Sequence, residues 1–491
     1  LGRFNQQAAI LFYFYTMKQP LLCLLLLIGG STAFSQEKWD LQKCVSYAVS
    51  NNISVKQADL QSRFSALDVR RNELSRYPDL NLQGNTGYRF GRSENPTTGV
   101  LEDNNFLSSG LQLQTNVTLF NWYSKKFTTE SARLFNQADR AQVKKVQDDV
   151  ALNVAVGYLQ TLLAKEQVKI AAIQVQQTVA QYEVTRKRVN AGDLPELNAA
   201  ELEAQVARDS SSLITAQSQV QQQLLQLKAI LNLDAAAPFD IAEPPVEKIP
   251  VEPLAELQPD RVFQLALVNL PQQQVNELRL RANQEAVKAA RGSMYPTLSA
   301  YGALGSNYVN IATPQQLEVV PSKPTGATVL VNGIPYDVVA PGVNVVNMGV
   351  TPYGRQLRNN FGQNIGLAVS VPIFSGGALR TNWERSRLTV QQSQLDIESS
   401  NQTLKQDIYT AYNDAMAAMQ KFTANQKAVT AAEKAFDFSQ KRYNLNLVST
   451  YDLLNSQNNL LRARTELLYA QFDYVFKMKL LEFYKGQGLK L

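Results

Sequence analysis

Residues able to do chemistry are few in this chain, and their spacing suits little of it. Histidine is absent, which removes the commonest general base and the commonest neutral metal ligand. The two cysteines, Cys23 and Cys44, cannot build a disulfide framework or a four-thiolate zinc site. Asp148 and Asp149 are adjacent, but they fall inside a helical pattern, where neighbouring residues point in different directions, so they do not form an acid–base dyad. No phosphate-cradling glycine loop and no paired-cysteine motif occurs. The chain therefore reads as something other than an enzyme, with no cofactor and no metal site.

Charge adds little. Lys+Arg number 48 and Asp+Glu 42, a net +6, too weak and too dispersed for nucleic acid. The hydrophobic fraction of 45% is ordinary, and no apolar run reaches the roughly 18 residues of a membrane-spanning helix. Met17-Lys18, the apolar run Leu21 to Gly30 and the small-residue site Ala33-Phe34-Ser35 together read as a secretory signal peptide cleaved after Ser35. Residues 1–16 read as translated upstream sequence. Cys23 follows Leu22 rather than a small residue and suits lipidation poorly, whereas Cys44 is expected to be a buried helix residue. Loss of 1–35 removes Arg3 and Lys18, leaving 46 basic against 42 acidic residues, a net +4.

The elements that must position these residues come in two copies. At 491 residues the chain has the length of two to four ordinary domains, yet it repeats itself. Arg76-Tyr77-Pro78-Asp79-Leu80 returns as Met294-Tyr295-Pro296-Thr297-Leu298, 218 residues later. Val117-Thr118-Leu119-Phe120 returns as Val371-Pro372-Ile373-Phe374 at an offset of 254, which also carries Tyr158 onto Tyr412 and Arg188 onto Arg442. The difference places 36 extra residues between Pro296 and Val371. The expected division is thus 1–35 as upstream sequence and signal, 36–235 as the first repeat, 236–259 as a proline-rich joining segment, and 260–491 as the second repeat.

Each repeat begins with a helix (about 40–76, then 260–294) ended by Tyr-Pro, since the residue before proline is pushed out of the helical region. Two strands follow. Leu111, Leu113, Thr115, Val117 and Leu119 alternate with polar residues, as do Ile365, Leu367, Val369, Val371 and Ile373 with small or polar ones; strands 79–90 and 297–308 are looser. One apolar and one polar face suits a soluble sandwich or an outer-membrane barrel, and the strand pattern by itself favours the sandwich. Next come helices near 122–190 and 377–444, each about 100 Å long at ~1.5 Å per residue. Gly157 is the only glycine or proline from Asn121 to Asn190, and neither type occurs from Ala378 to Lys485.

Leu453, Leu460, Leu467, Tyr474 and Leu481 keep a seven-residue register. Val143, Val146, Val150 and Val154 form one stripe, and Leu152, Val156, Leu159 and Leu163 a second on another face. Two stripes suit the wall of a cylinder, although a bundle or coiled-coil rod stays open; Gln174, Gln176, Gln177 and Gln181 would then face water. Gly192 and Pro195 turn the first long helix into a return helix at 196–232, and Ser449-Thr450 are the caps of a second return helix reaching about 485. Four strands cannot close a barrel by themselves, so oligomerisation is required unless the sheet is open and soluble.

The signal peptide, the Trp39-Asp40-Leu41 opening, the paired Tyr-Pro strand entries and the strand exits at Phe120 and Phe374 resemble the TolC-type outer-membrane efflux proteins over about 40–485. The resemblance implies a mixed α/β membrane protein. Its homotrimer would place four strands per subunit in a 12-stranded barrel, continued by an α-helical periplasmic barrel. It implies a passive exit duct in the outer-membrane lipid of a Gram-negative bacterium, docked to a periplasmic adaptor and an inner-membrane pump. The alternative from the residues is a soluble periplasmic coiled-coil scaffold or adaptor.

Loops 91–108 and 305–360 would face outside, the second as a lid or a passive loop, and 236–259 would be an equatorial belt. Pro78, Pro296, Phe120, Phe374 and Pro372 would mark the helix–barrel junctions. The helical turns would form the periplasmic gate. There the resemblance matches Asp452 to an acidic position and Tyr443 to a lock tyrosine. Asn455, Val448 and Asn198 stand where a carboxylate, an arginine and an acidic lock partner are expected, leaving Arg188, Arg442, Asp193 and Glu196 to hold the closed state.

Overall fold

The computed structural model describes residues 38–94, 101–103, 105–245 and 249–486. The expected signal peptide with Cys23, part of loop 91–108 and part of segment 236–259 lie outside the described residues. The chain forms two compact units, each drawn from both halves of the sequence: a helical unit (up to Gln61, Arg140–Gln274 and from Glu398) and a sheet unit (Ser62–Asp139 and Val275–Ile397).

The elements run α1 (Leu41–Asn51), α2 (Ile53–Leu74), β1 (Asp79–Arg89), β2 (Arg92–Glu94), β3 (Leu101–Asp103), β4 (Phe106–Phe120), α3 (Ser124–Asn190) and α4 (Glu196–Leu231). After a short 3-10 turn at Leu254–Glu256 come α5 (Pro259–Asn269), α6 (Pro271–Gly292), β5 (Thr297–Val309), β6 (Ala312–Val331), β7 (Ile334–Val350), α7 (Tyr353–Asn359), β8 (Gly362–Ser370), α8 (Ala378–Asn444) and α9 (Thr450–Tyr484). The long helices α3 and α8 are both 67 residues, and their first residues lie 254 apart. Among the described residues no helix is long and apolar enough to cross a membrane.

The expected single helices at 40–76 and 260–294 are each two. Asn52 is extended, and its amide donates to the Ile230 carbonyl at 2.8 Å while its Oδ1 restarts α2 at Ser54. At the equivalent position Leu270 is extended too, because Pro271 excludes it from the helical region.

In the helical unit, α1, α3, α4 and α9 bury Cys44, Ala48, Val154, Tyr158, Leu227, Leu231 and Val475 around Phe239 and Ile241 of the joining segment. A second cluster packs Ile408, Ala411 and Ala415 of α8 and Met478 and Leu481 of α9 on Leu257, Val262 and Ala266. The joining segment is therefore held rather than free. Ile241 bridges Trp39 in parallel, the Tyr158 hydroxyl donates to the Ala242 carbonyl at 2.7 Å, and Lys165 pairs with Asp240 and Glu243. Burial pushes the Glu243 carboxyl up, but hydrogen bonds and charge from Lys165 and Lys169 outweigh it and bring it down to about 2.

In the sheet unit four antiparallel strands lie in the order β1-β4-β5-β8. Register sets like against like: Leu82 lies opposite Leu113, Leu113 opposite Leu304, Ala300 opposite Leu367, and Leu298 opposite Val369. Gln83, Gln112 and Gly305 line up on the other face, as do Asn81, Gln114, Ala303 and Asn364. The apolar face is uncovered, with Leu82 69% exposed, Leu367 68% and Ile365 91%. On the polar face Tyr301 lies across Gly366, where a Cβ would meet its hydroxyl at 2.6 Å.

Three expectations shift here. The strand expected to reach Ile373 ends at Ser370, because Pro372 has no amide to donate. Much of the loop expected at 305–360 is strand: β6 and β7 form a two-stranded ribbon. Gln174, expected to face water, is 6% exposed, because it is drawn into the polar cluster described below.

Candidate gate at the helical turns

The α3–α4 and α8–α9 hairpins turn in the same way. Gly192 (φ 80°) and Asn446 (φ 62°) take the left-handed conformation that ends a helix. The amides of Asp193 and Leu447 close back on the carbonyls of Arg188 and Arg442, both at 2.9 Å. Asparagine serves in the second turn because its short polar side chain tolerates this region better than most.

Between the turns the links are polar. Arg188 Nε donates to Asp193 Oδ2 at 2.7 Å within its own turn, and Nη2 reaches Asn446 Oδ1 of the other turn at 2.6 Å. Arg186 pairs with Glu196. The Tyr443 hydroxyl, buried, lies 3.2 Å from Thr185 Oγ1 and 3.5 Å from Thr450 Oγ1. Further along α3, Thr178 donates to Asp209 Oδ2 at 2.7 Å and accepts from Gln457 Nε2 at 3.0 Å. Asp209, 5% exposed, also accepts from Gln174 at 3.3 Å and Gln205 at 2.7 Å. Thr178, Thr185 and Arg188 stand near one face of α3 at helical spacing, so the seam runs about 15 Å along it.

Asp452 is the N3 residue of a capping box. Its carboxylate accepts from Ser449 Oγ at 2.7 Å and Ser449 N at 3.2 Å, while Ser449 Oγ accepts from Asp452 N at 3.1 Å. Hydrogen bonding to Ser449, then the Arg442 charge, hold the carboxyl below its usual range, so it is ionised at neutral pH and faces solvent.

Of the residues expected at the gate, Arg188, Asp193 and Tyr443 come together, with Arg442 close enough to act on Asp452. Asn455 is exposed on α9, Asn198 and Val448 are half-buried, and Glu196 pairs with Arg186. Sequence reasoning missed Thr178, Thr185, Asp209, Gln205 and Gln457, and read Thr450 only as a helix cap. A signal existed in the polar residues Gln174, Thr178 and Thr185, which recur at four and seven residues in a helix otherwise patterned by valine and leucine.

The strand ends carry the other expected residues. Pro78 and Pro296 immediately precede β1 and β5, and Phe120 ends β4 with its ring 5.5 Å from Trp122. Phe374 lies beyond the end of β8 and is exposed. Trp122 and Tyr123 turn left-handed (φ 50° and 61°) where the second half has Gly376 and Gly377 (62° and 80°). Exposed aromatics flank the apolar sheet face at both ends, with Tyr77, Trp122, Tyr123 and Phe374 at one and Tyr88, Phe90, Tyr353 and Phe361 at the other.

Comparison with known proteins bears on the family and the fold. The family model for outer membrane efflux proteins matches residues 45–233 and 262–478. The probable outer membrane lipoprotein SilC of Salmonella typhimurium is 22% identical over 274 residues, 56% of this chain and 57% of SilC. The match thus spans little more than half of that relative. Among solved structures, CusC superposes with a TM-score of 0.71 at 17% identity, covering 92% of this chain and 93% of CusC. VceC, an outer membrane protein of Vibrio cholerae, gives 0.70 at 16%, covering 92% and 97%. The open-state MtrE outer membrane channel of Neisseria gonorrhoeae gives 0.68 at 19%, covering 92% and 89%. At these identities the likeness is one of fold.

Proposed function

Because this chain belongs to the outer membrane efflux protein family, we propose that three copies join their four-stranded sheets into one 12-stranded barrel in the outer membrane. The helices continue that barrel as a periplasmic conduit. It passively exports what an inner-membrane pump delivers through a periplasmic adaptor. In this reading each chain contributes two structural repeats, and 236–259 belts the helices.

The observation that carries the reading is the uncovered apolar sheet face with aromatics at both ends and open edges at β1 and β8. From Asp79 to Arg89 β1 is about 33 Å long, which at a tilt of ~45° spans about 23 Å, close to the height of an outer-membrane apolar band. The polar face would line the lumen. A soluble periplasmic scaffold or adaptor would leave the apolar face in water, and open strand edges invite pairing with another chain.

The seam at the turns would be the closed gate. Arg188–Asn446 and Thr185–Tyr443 tie one hairpin to the other, and three Asp452 carboxylates would ring the entrance and attract cations. The test is assembly and conductance of the full chain. A detergent-solubilised trimer that forms pores in planar bilayers is expected. Recovery of a soluble monomer from the periplasm, or a trimer without conductance, overturns the reading.

A further inference from the structure

The 36 extra residues of the second half coincide with the β6–β7 ribbon. Its tip is well specified as a hairpin. Asn332 and Gly333 (φ 54° and 80°) make the left-handed two-residue turn that such ribbons favour, and Thr325 Oγ1 donates to the Val338 carbonyl at 2.8 Å. Its root is equally fixed. The buried Gln356 of α7 donates to the Val309 carbonyl at 2.9 Å and accepts from the Val309 amide at 3.1 Å. Ser306 Oγ bonds the Leu357 carbonyl at 2.7 Å, and the Tyr308 and Tyr353 rings lie 4.8 Å apart.

Toward its tip the ribbon has no second layer among the described residues. Val329 pairs with Tyr336 and Val331 with Ile334, so these four share one face with Val338, each between 40% and 57% exposed. The opposite face is mixed, with Thr328 and Asp337 beside Leu330, Pro335 and Val339, so only the first face is continuously apolar. An isolated two-stranded ribbon is marginal in water, and at 20 residues for β6 this one is about 60 Å long.

We propose that this face is covered by the same face of a neighbouring copy, so that the ribbons of the assembled channel pack together into an external cap. The inference rests on the trimeric reading above. Three observations select a second copy as the occupant. Residues 312–350 hold only Glu318, Lys323 and Asp337 as charged residues, so identical ribbons do not repel and no charged partner is favoured. Pro321, Pro324, Pro335 and Pro341 remove backbone donors along the strands, which disfavours extension by edge pairing and leaves face packing. The ribbon also returns through α7 directly into β8, an edge strand of the sheet. In the trimer that edge meets the next copy, and threefold symmetry holds the ribbons at high effective concentration.

Cysteine cross-linking tests this in the full chain, purified in detergent on a Cys23→Ala background. Cys44 is buried and its thiol is pushed up to about 12, by burial first, so it stays unreactive. Val331→Cys, oxidised with copper-phenanthroline, is expected to form disulfide-linked dimers at least tenfold faster than Thr328→Cys on the opposite face. A Val331→Asp/Ile334→Asp variant is expected to raise protease nicking of the ribbon about tenfold with the trimer mass unchanged. A trimer whose Val331→Cys does not cross-link overturns the cap and leaves the channel reading standing. So does one whose fluorophore-labelled Val331→Cys is quenched by spin-labelled lipid in nanodiscs. A monomer overturns the channel reading itself.

Discussion

Within the helical unit the helices meet in two ways. Around the joining segment they bury apolar side chains, among them Leu227, Leu231, Ile241, Leu257 and Met478 at 0% exposure. Toward the turns they bury Ala199, Leu202, Leu453 and Leu454 and add side-chain hydrogen bonds through Thr178, Thr185, Arg188, Tyr443, Asn446 and Gln457. Separating apolar surfaces exposes them to water with no compensation. Separating hydrogen-bonded groups exchanges protein partners for water, and the net cost per bond is about 0.5–1.5 kcal/mol. The first region is suited to holding a permanent shape, and the hydrogen bonds of the second are the links that water can replace.

That contrast can be broken by substitution. Leu227→Ala should cost the most, about 2–5 kcal/mol, because a fully buried side chain leaves a cavity; thermal unfolding in detergent measures it. A loss under about 1 kcal/mol would mean that the apolar region is looser than its burial implies.

Asp209→Ala comes next, at about 1–3 kcal/mol, since the donors of Thr178, Gln174 and Gln205 lose their shared acceptor in a buried site. Asp209→Asn, which keeps an acceptor, should lose less in the same assay.

Acid should act on the apolar region through its ion pairs. The folded Glu243 carboxyl is lowered from 4.5 to about 2, so its contribution is complete above pH 4.5 and is lost as pH falls toward about 2. Unfolding temperature should therefore drop across that window. Lys165→Met, which removes the principal partner, should flatten the drop, and an unchanged slope would assign the acid sensitivity elsewhere.

Tyr443→Phe should cost only about 0.5–1.5 kcal/mol, yet raise the open probability of single channels several-fold if the seam is the gate. Last, Asp452→Asn should scarcely move the unfolding temperature but weaken divalent-cation block of the current. Unchanged block would reduce Asp452 to a helix cap.

Particular residues show what could be read beforehand. The two long helices were legible because a chain without proline and nearly without glycine has nothing to stop it locally. The strands at 111–119 and 365–370 were legible from their alternation. The break at Leu270 had a local cause in Pro271, whereas the equivalent break at Asn52 depends on the Ile230 carbonyl, 178 residues away. The ribbon was misread as loop because its prolines obscured the Asn332-Gly333 turn between two apolar runs. Tyr443 was placed at the turns by the resemblance, and Arg188 and Asp193 were named where the chain departs from it; Thr178, Asp209 and Gln457 were not named, because polar residues on a long helix look solvated until a neighbour covers them.

Sequence alone determined the lengths of the two long helices and the strand alternation, since each follows from local periodicity or composition. Only tertiary structure decided which polar residues are buried, which loop became a ribbon and which sheet face stands open. Those outcomes depend on register and on partners distant in the chain, and local periodicity carries no information about either.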